Sequence, residues 1–267
     1  MTDPLPAIAE ADAAGAVATL FADIRAVTGV GVVNLIWRHL ATIPGGLEFA
    51  WGAIRPRYSD GALVDAADQI RARIAVPDLG RLVLPDPAAG LIIAAYNRTN
   101  ARALLALCAL IARLDGVAAV PQAAHQPRFE DDLPLPPLPA LAALPAELAS
   151  LVLRLNLMGA GRPDPILASM YRHLAYWPEL LATLEPRLDA LDRAGRLRPM
   201  IVAALDTGRA AGQAFAPSLA DMPALAAAEL PLVRAALVRF AEDALARMVV
   251  ICGAIQVAVT PISEGLD

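Results

Sequence analysis

"YRHLAYWP", residues Tyr171 to Pro178, repeats the frame of "WRHLATIP", residues Trp37 to Pro44. Aromatic, Arg, His, Leu, Ala and the closing Pro coincide at one separation of 134 positions. The likeness runs outward from there. Upstream, "LFADIRAVTGVG" resembles "LASLVLRLNLMGAG". Downstream, "AIRPRY" resembles "TLEPRL", but Pro56 and Pro186 stand 130 positions apart, so one copy is about a turn shorter. Further on, "AYNRTNARALLALCALI" sits where the second copy has "FAEDALARMVVICGAI". Two copies at so long a period do not make a solenoid array. They predict a duplicated domain with pseudo-twofold symmetry, and the surface between its halves is the natural place for a ligand cleft.

Composition decides the class. Apolar residues make up 57% of the 267, and aromatics only 4%. Much of the excess is Ala and Leu, both strong helix formers, so an all-α protein is expected. Between the copies, "PQAAHQPRFEDDLPLPPLPALAALP" carries seven prolines. Such a run lacks backbone donors and cannot be a helix. The predicted organisation is an N-terminal extension (1–15), a helical repeat (16–120), a Pro-rich linker (121–146) and a second helical repeat (147–267).

Within copy two, Asp164 is placed to cap a helix with Pro165 in its first position. Leu167, Met170, Tyr171, Leu174 and Trp177 then fall on one apolar face, and Pro178 begins the next helix. Val33, Ile36, Trp37, Leu40 and Ile43 repeat that face in copy one. Pro56 and Pro186 predict a kink or break in the element that follows each frame.

Several functions are excluded. Mean hydropathy is +0.52, yet no run of about 18 apolar residues is uninterrupted. "MVVICGAIQVAVTPI", from Met248, is too short and contains Gln256, so it reads as a buried core helix. "MTDPLPAIAEADAAG" lacks the basic region and apolar core of a signal peptide, and a cytoplasmic protein with no membrane association is expected. Net charge is −5 with scattered basic residues, which leaves no nucleic-acid footprint. The chain has no Lys, so Schiff-base and lysine-base chemistry are excluded. Cys108 and Cys252 lie far apart without a C-x-x-C pair, and read as small buried hydrophobes. "GAGRPD" and "GVGVVN" follow no β-type run and are no dinucleotide loops. No metal-ligand spacing occurs. His39 and His173 are repeat-related, and His125 lies in the linker. A solvated or hydrogen-bonded structural role is open to them, as is that of a base.

"YNRTN", Tyr96 to Asn100, interrupts an otherwise apolar helix. Asn97 and Asn100 are three apart and share a face. Buried asparagines need partners; helix–helix hydrogen bonding and the holding of a water or ligand both answer that need.

"VVNLIWRHLATIPGGLEFAW" (Val32 to Trp51), "AYNRTNARALLAL" and "SMYRHLAYWP" (Ser169 to Pro178) together resemble the group I α-haloacid dehalogenases, over roughly Ala16 to Val259. The resemblance implies an all-helical, internally duplicated hydrolase of 2-haloalkanoic acids, without cofactor or metal, accepting both stereoisomers. It implies a fold akin to the alkylhydroperoxidase group. It implies an aspartate base that activates a water for direct attack on the halogen-bearing carbon, and an asparagine that helps hold that water. Asn100 matches this asparagine best and Asn97 second. Val32 and Leu35 would shape the pocket, and Ser169, Met170 and Tyr171 are further substrate-binding candidates.

The base position departs from that pattern, because it holds Met170, whose thioether is only a weak acceptor. General-base help is worth about 10²–10⁴-fold, so standard hydrolytic dehalogenation is expected to be lost. Glu242, Asp243, Asp164 and Glu48 are the carboxylates that would have to substitute. Arg38 and Arg172 are open to binding a substrate carboxylate or to structural ion pairs. The expectation is a diverged dehalogenase-like protein with a small organic acid as ligand, and a homodimer is compatible with it. The alternative is a non-enzymatic helical interaction or assembly protein, which predicts no enclosed cavity between the halves.

Overall fold

Pro87 opens the longest element. Asp86 caps it by accepting the Ala88 N–H at 2.7 Å, and proline fills the first turn, where a missing N–H costs nothing. The result is a 28-residue helix, Pro87–Leu114, about 42 Å long at 1.5 Å per residue. Beyond Asn97 it is buried on nearly every side, as a helix apolar all round must be. The rest of the chain is arranged around it.

The computed structural model describes residues 5–120 and 135–259. The helices are α1 (Gly15–Thr28), α2 (Leu35–Leu40), α3 (Gly46–Ser59), α4 (Ala62–Arg73), α5 (Pro87–Leu114), α6 (Ala146–Leu157), α7 (Ser169–His173), α8 (Pro178–Arg193), α9 (Leu197–Phe215), α10 (Leu230–Arg239) and α11 (Ala246–Val259). A wide π-helical turn, Phe240–Leu245, joins α10 to α11 without a break. No strand forms among the described residues, so the all-α class is the one the chain adopts. None of these helices is long and apolar enough to cross a membrane. The described part of the run from Met248, as far as Val259, lies in α11, where ten side chains are buried. The expected linker, with His125, falls largely on residues 121–134, outside the described residues.

Helix α5 packs most extensively against α9 and α11, and also against α4 and α10. Glycine makes the first of these contacts close. A Cβ on Gly212 of α9 would stand 2.4 Å from the Cys108 Cβ and 2.6 Å from its carbonyl carbon, and one on Gly208 would stand 2.9 Å from Leu104 Cγ. At the other end, Asp23 ties α1 to α3. It accepts from Trp51 Nε1 at 2.7 Å and from Arg55 at 2.7 Å on both carboxylate oxygens. The Arg55 hydrogen bond, more than that of Trp51, holds its pKa below the ordinary value against the cost of burial.

Three local expectations are corrected. Pro165–Ala168 is extended, and helix α7 starts only at Ser169. Asp164 caps nothing; it is exposed and pairs with Arg162 and Arg239. The reason is that side chains of other helices take the backbone polar groups of this segment, as described below. Trp177 belongs to no helix and immediately precedes α8, while Leu174–Tyr176 tighten into a 3₁₀ turn. Of the kink or break expected at Pro56 and Pro186, the break does not occur, since each sits inside a continuous helix.

Candidate active site

Five pieces of chain converge on one cavity. They are residues 30–36 leading into α2, one face of α5, Leu135 at the start of the segment before α6, the extended segment before α7 with that helix's first two residues, and the π turn with the start of α11. The space open to a water-sized sphere is about 60 Å³, enough for a molecule of a few heavy atoms. The polar side chains on its wall are Asn34, Tyr96, Thr99, Asn100 and Ser169. No described lining residue carries a charge.

The extended wall is held by a buried polar network. Asn156 Oδ1 of α6 accepts the Ala168 N–H at 3.0 Å, and its amide donates to the Pro165 carbonyl at 3.5 Å. Asp243 Oδ2, in the π turn, accepts the Ile166 N–H at 2.7 Å. Arg247, with no exposed surface, donates to the Ile166 carbonyl at 3.0 Å and to both the backbone and side-chain oxygens of Asn156. A π turn adds a residue to the helix, and here Asp243 and Arg247 on either side of its end both reach one segment. Burial pulls the Arg247 pKa down from its ordinary value, with Tyr171 and Asp243 acting the other way; a guanidinium stays charged in proteins all the same.

Met170 lines the cavity at 1% exposure. The Cys252 thiol behind it donates to Met170 Sδ at 3.2 Å and accepts from Asn100 Nδ2 at 3.3 Å. Burial pushes the Cys252 pKa up to about 12, so the thiol keeps its proton at neutral pH and serves as this donor. Asn100 and Met170 are thus joined through one sulfur.

A second polar chain reaches the cavity through Tyr96, one turn before Asn100 on α5. Tyr96 Oη is 2.9 Å from His173 Nδ1, and His173 Nε2 is 2.7 Å from the Pro136 carbonyl. A carbonyl only accepts, so Nε2 carries the proton. In the neutral ring Nδ1 then has none, and the tyrosine hydroxyl donates to it. His173 has no exposed surface, and desolvation lowers its pKa despite the Pro136 bond. Burial raises the Tyr96 pKa, with Arg172 and Arg38 opposing.

Of the residues singled out from sequence, Val32, Leu35, Asn100, Ser169 and Met170 all line this cavity. Asn97 and Tyr171 do not. Asn97 turns toward α11, near Gly253, with Oδ1 unpartnered among the described residues. Tyr171 is fully buried, its hydroxyl in the field of Arg247. Neither Arg38 nor Arg172 is on the wall; Arg38 Nε donates to the Val33 carbonyl. Glu242 points outward to Arg209, and Glu48 is exposed. His39 bonds the Pro6 carbonyl through Nδ1. No cluster of three or more His, Cys, Asp or Glu fit for a metal occurs among the described residues.

Sequence reasoning missed Asn34, Tyr96, Thr99 and the supporting trio Asn156, Asp243 and Arg247. Tyr96 was within reach, because it lies four residues before Asn100 and so on the same helix face. Asp243 and Arg247 gave no local signal for this role, since their partners are 77 to 91 positions away; Asn156 reaches Pro165 and Ala168, 9 and 12 positions on, across a turn that its own helix does not announce.

No protein-family model matches the sequence, and no curated protein matches it significantly. Solved structures do share its fold. The chain superimposes on a D-2-haloacid dehalogenase mutant with a TM-score of 0.77 and 16% identity, over 95% of each chain. A mutant of a D-2-haloacid dehalogenase in complex with D-2-CPA gives 0.75 and 15%, over 95% of this chain and 94% of that one. A D-2-haloacid dehalogenase in complex with L-LA gives 0.74 and 16%, over 95% of each. The architecture is therefore that of the D-2-haloacid dehalogenases, at an identity that speaks for fold alone.

Proposed function

We propose that the chain is a diverged relative of the haloacid dehalogenases. Its cavity takes a small carboxylate, and it has lost standard hydrolytic dehalogenation along with the general base. One observation carries the reading: the cavity brings Asn100 and Met170 together, and no described residue on its wall is an aspartate or glutamate. Where the resemblance puts a proton acceptor, a thioether faces the cavity instead. Asp243 does not replace it, because its Oδ2 is taken by the Ile166 N–H and it is not part of the wall. Glu242 and Asp164 are occupied by arginines at the surface. A further part of the proposal is that the two halves arose by duplication. Among the described residues, each half supplies a helix, a short helix and then longer helices in the same order, which supports it. The assembly-protein alternative predicted no enclosed cavity between the halves, and it is not better supported.

Halide release from 2-chloropropionate and 2-bromopropionate tests the reading. The unaltered protein is expected to release no halide above background. Met170→Asp, which puts a carboxylate beside Asn100, is expected to raise release by about 10²–10⁴-fold. Robust turnover by the unaltered chain would show that the base is not missing.

A further inference from the structure

No described residue on the cavity wall is charged, yet a carboxylate is. The guanidiniums of Arg38 and Arg172 act on Tyr96 without being part of that wall, and a buried anion without a hydrogen-bonded partner is costly. The hydrogen-bond directions make matters worse. With His173 neutral and its Nε2 proton committed to the Pro136 carbonyl, the Tyr96 hydroxyl must donate to Nδ1. Tyr96 therefore has no proton to offer a ligand: its oxygen already receives Ser169, and an acceptor repels a carboxylate oxygen. A single proton changes this. Placed on His173 Nδ1, it reverses the bond, so that Nδ1–H donates to Tyr96 Oη and frees the tyrosine O–H to turn into the cavity. It also adds a positive charge behind Tyr96, at a ring with no exposed surface.

We propose that the cavity binds a small monocarboxylate together with one solvent proton, which rests on His173 and is presented to the ligand through Tyr96. No covalent bond of the ligand changes; the only new bond is Nδ1–H. This rests on the small-carboxylate reading above and adds a recognition pair to it. The groups facing the imidazole are Tyr96 from α5, Arg172 from α7 itself and the Pro136 carbonyl from the segment before α6. Around Tyr96 stand Arg38 of α2, Ser169 of α7 and Cys252 of α11. Arg172 opposes charge on the ring, which favours a neutral histidine in the empty cavity and makes protonation conditional on an anion arriving.

The experiment is calorimetric titration of the full chain with propionate at about pH 7, in two buffers of different ionisation enthalpy. The expected uptake is close to one proton per ligand, with affinity weakening up to tenfold per pH unit as the solution is made more alkaline. Ligand-induced elevation of the His173 ring titration, followed by NMR, is expected alongside. Tyr96→Phe is expected to weaken binding, abolish proton uptake and flatten the pH dependence, and His173→Gln to do the same. Should His173→Gln fail to fold, Tyr96→Phe and the ring titration of the unaltered chain decide the matter. Binding without proton uptake overturns this inference and leaves the small-carboxylate reading standing. So does uptake that persists in Tyr96→Phe. Absence of propionate binding overturns both.

Discussion

Asn156 is the residue on which the cavity wall turns. Its side chain accepts the Ala168 N–H and donates to the Pro165 carbonyl, while its oxygens receive Arg247. Asn156→Leu would fill the volume but leave a buried N–H and a buried guanidinium short of partners. The expected loss is about 2–4 kcal/mol, measured as a lower urea midpoint with unchanged slope. His173 sets a pH dependence. Its pKa is depressed from the ordinary 6.5, chiefly by desolvation. As pH falls through about 6.5, the unfolded chain takes up a proton that the folded chain refuses, so stability falls with falling pH. The expected slope is at most about 1.4 kcal/mol per pH unit, down to the folded pKa. In Tyr96→Phe, which leaves the ring buried, the slope should remain; in His173→Gln it should vanish. At this scale the sequence pointed to residues that the structure brings to one cavity, Asn100, Met170 and Ser169, whose roles belong to the proposal. It was silent where long-range partners decide. Nothing local distinguishes Asn156, beside an Arg from the far end of the chain, from a surface asparagine.

Among the elements, helix ends were the hard part. Asp164 and Pro165 look like a helix start, and the apolar spacing from Leu167 agrees, yet the helix begins four residues later at Ser169. Local propensity lost to the partners offered by α6 and by the π turn. Prolines misled in the other direction. Pro56 and Pro186 sit within α3 and α8, where packing outweighs one missing hydrogen bond. The contact of α5 with α9 was invisible in composition, since glycines in "TGRAAGQ" read as weak points of a helix until the partner backbone is seen. Gly212→Ala would drive a methyl into Cys108 and its carbonyl carbon. The expected cost is about 3 kcal/mol, read from thermal or urea unfolding. Gly15, where a Cβ would meet nothing within 4 Å but φ is +55°, is the control for backbone strain without a clash.

Across the whole molecule, one apolar core runs from Leu5 to Ala258 and joins both halves through α5, α9 and α11. The proposed duplication would therefore not divide the chain into separately stable units. Residues 1–120 expressed alone are expected to lack a cooperative transition, and mixing with 121–267 is expected to restore one; circular dichroism during urea titration checks this. The full chain is expected to unfold in one step by fluorescence and by helical signal alike. The π turn at Phe240–Leu245 has a consequence for insertions and deletions. An ordinary α-helix advances about 100° and 1.5 Å per residue. The π turn takes up one residue more than a regular helix would hold. Removing a single alanine, Ala241, is expected to let the segment wind regularly while α10 and α11 keep their places, so that the turn's own side chains on the wall, Phe240, Ala244 and Leu245, are re-aimed. A gene one codon shorter would thus keep its hydrophobic content almost untouched and still alter the shape of the chamber.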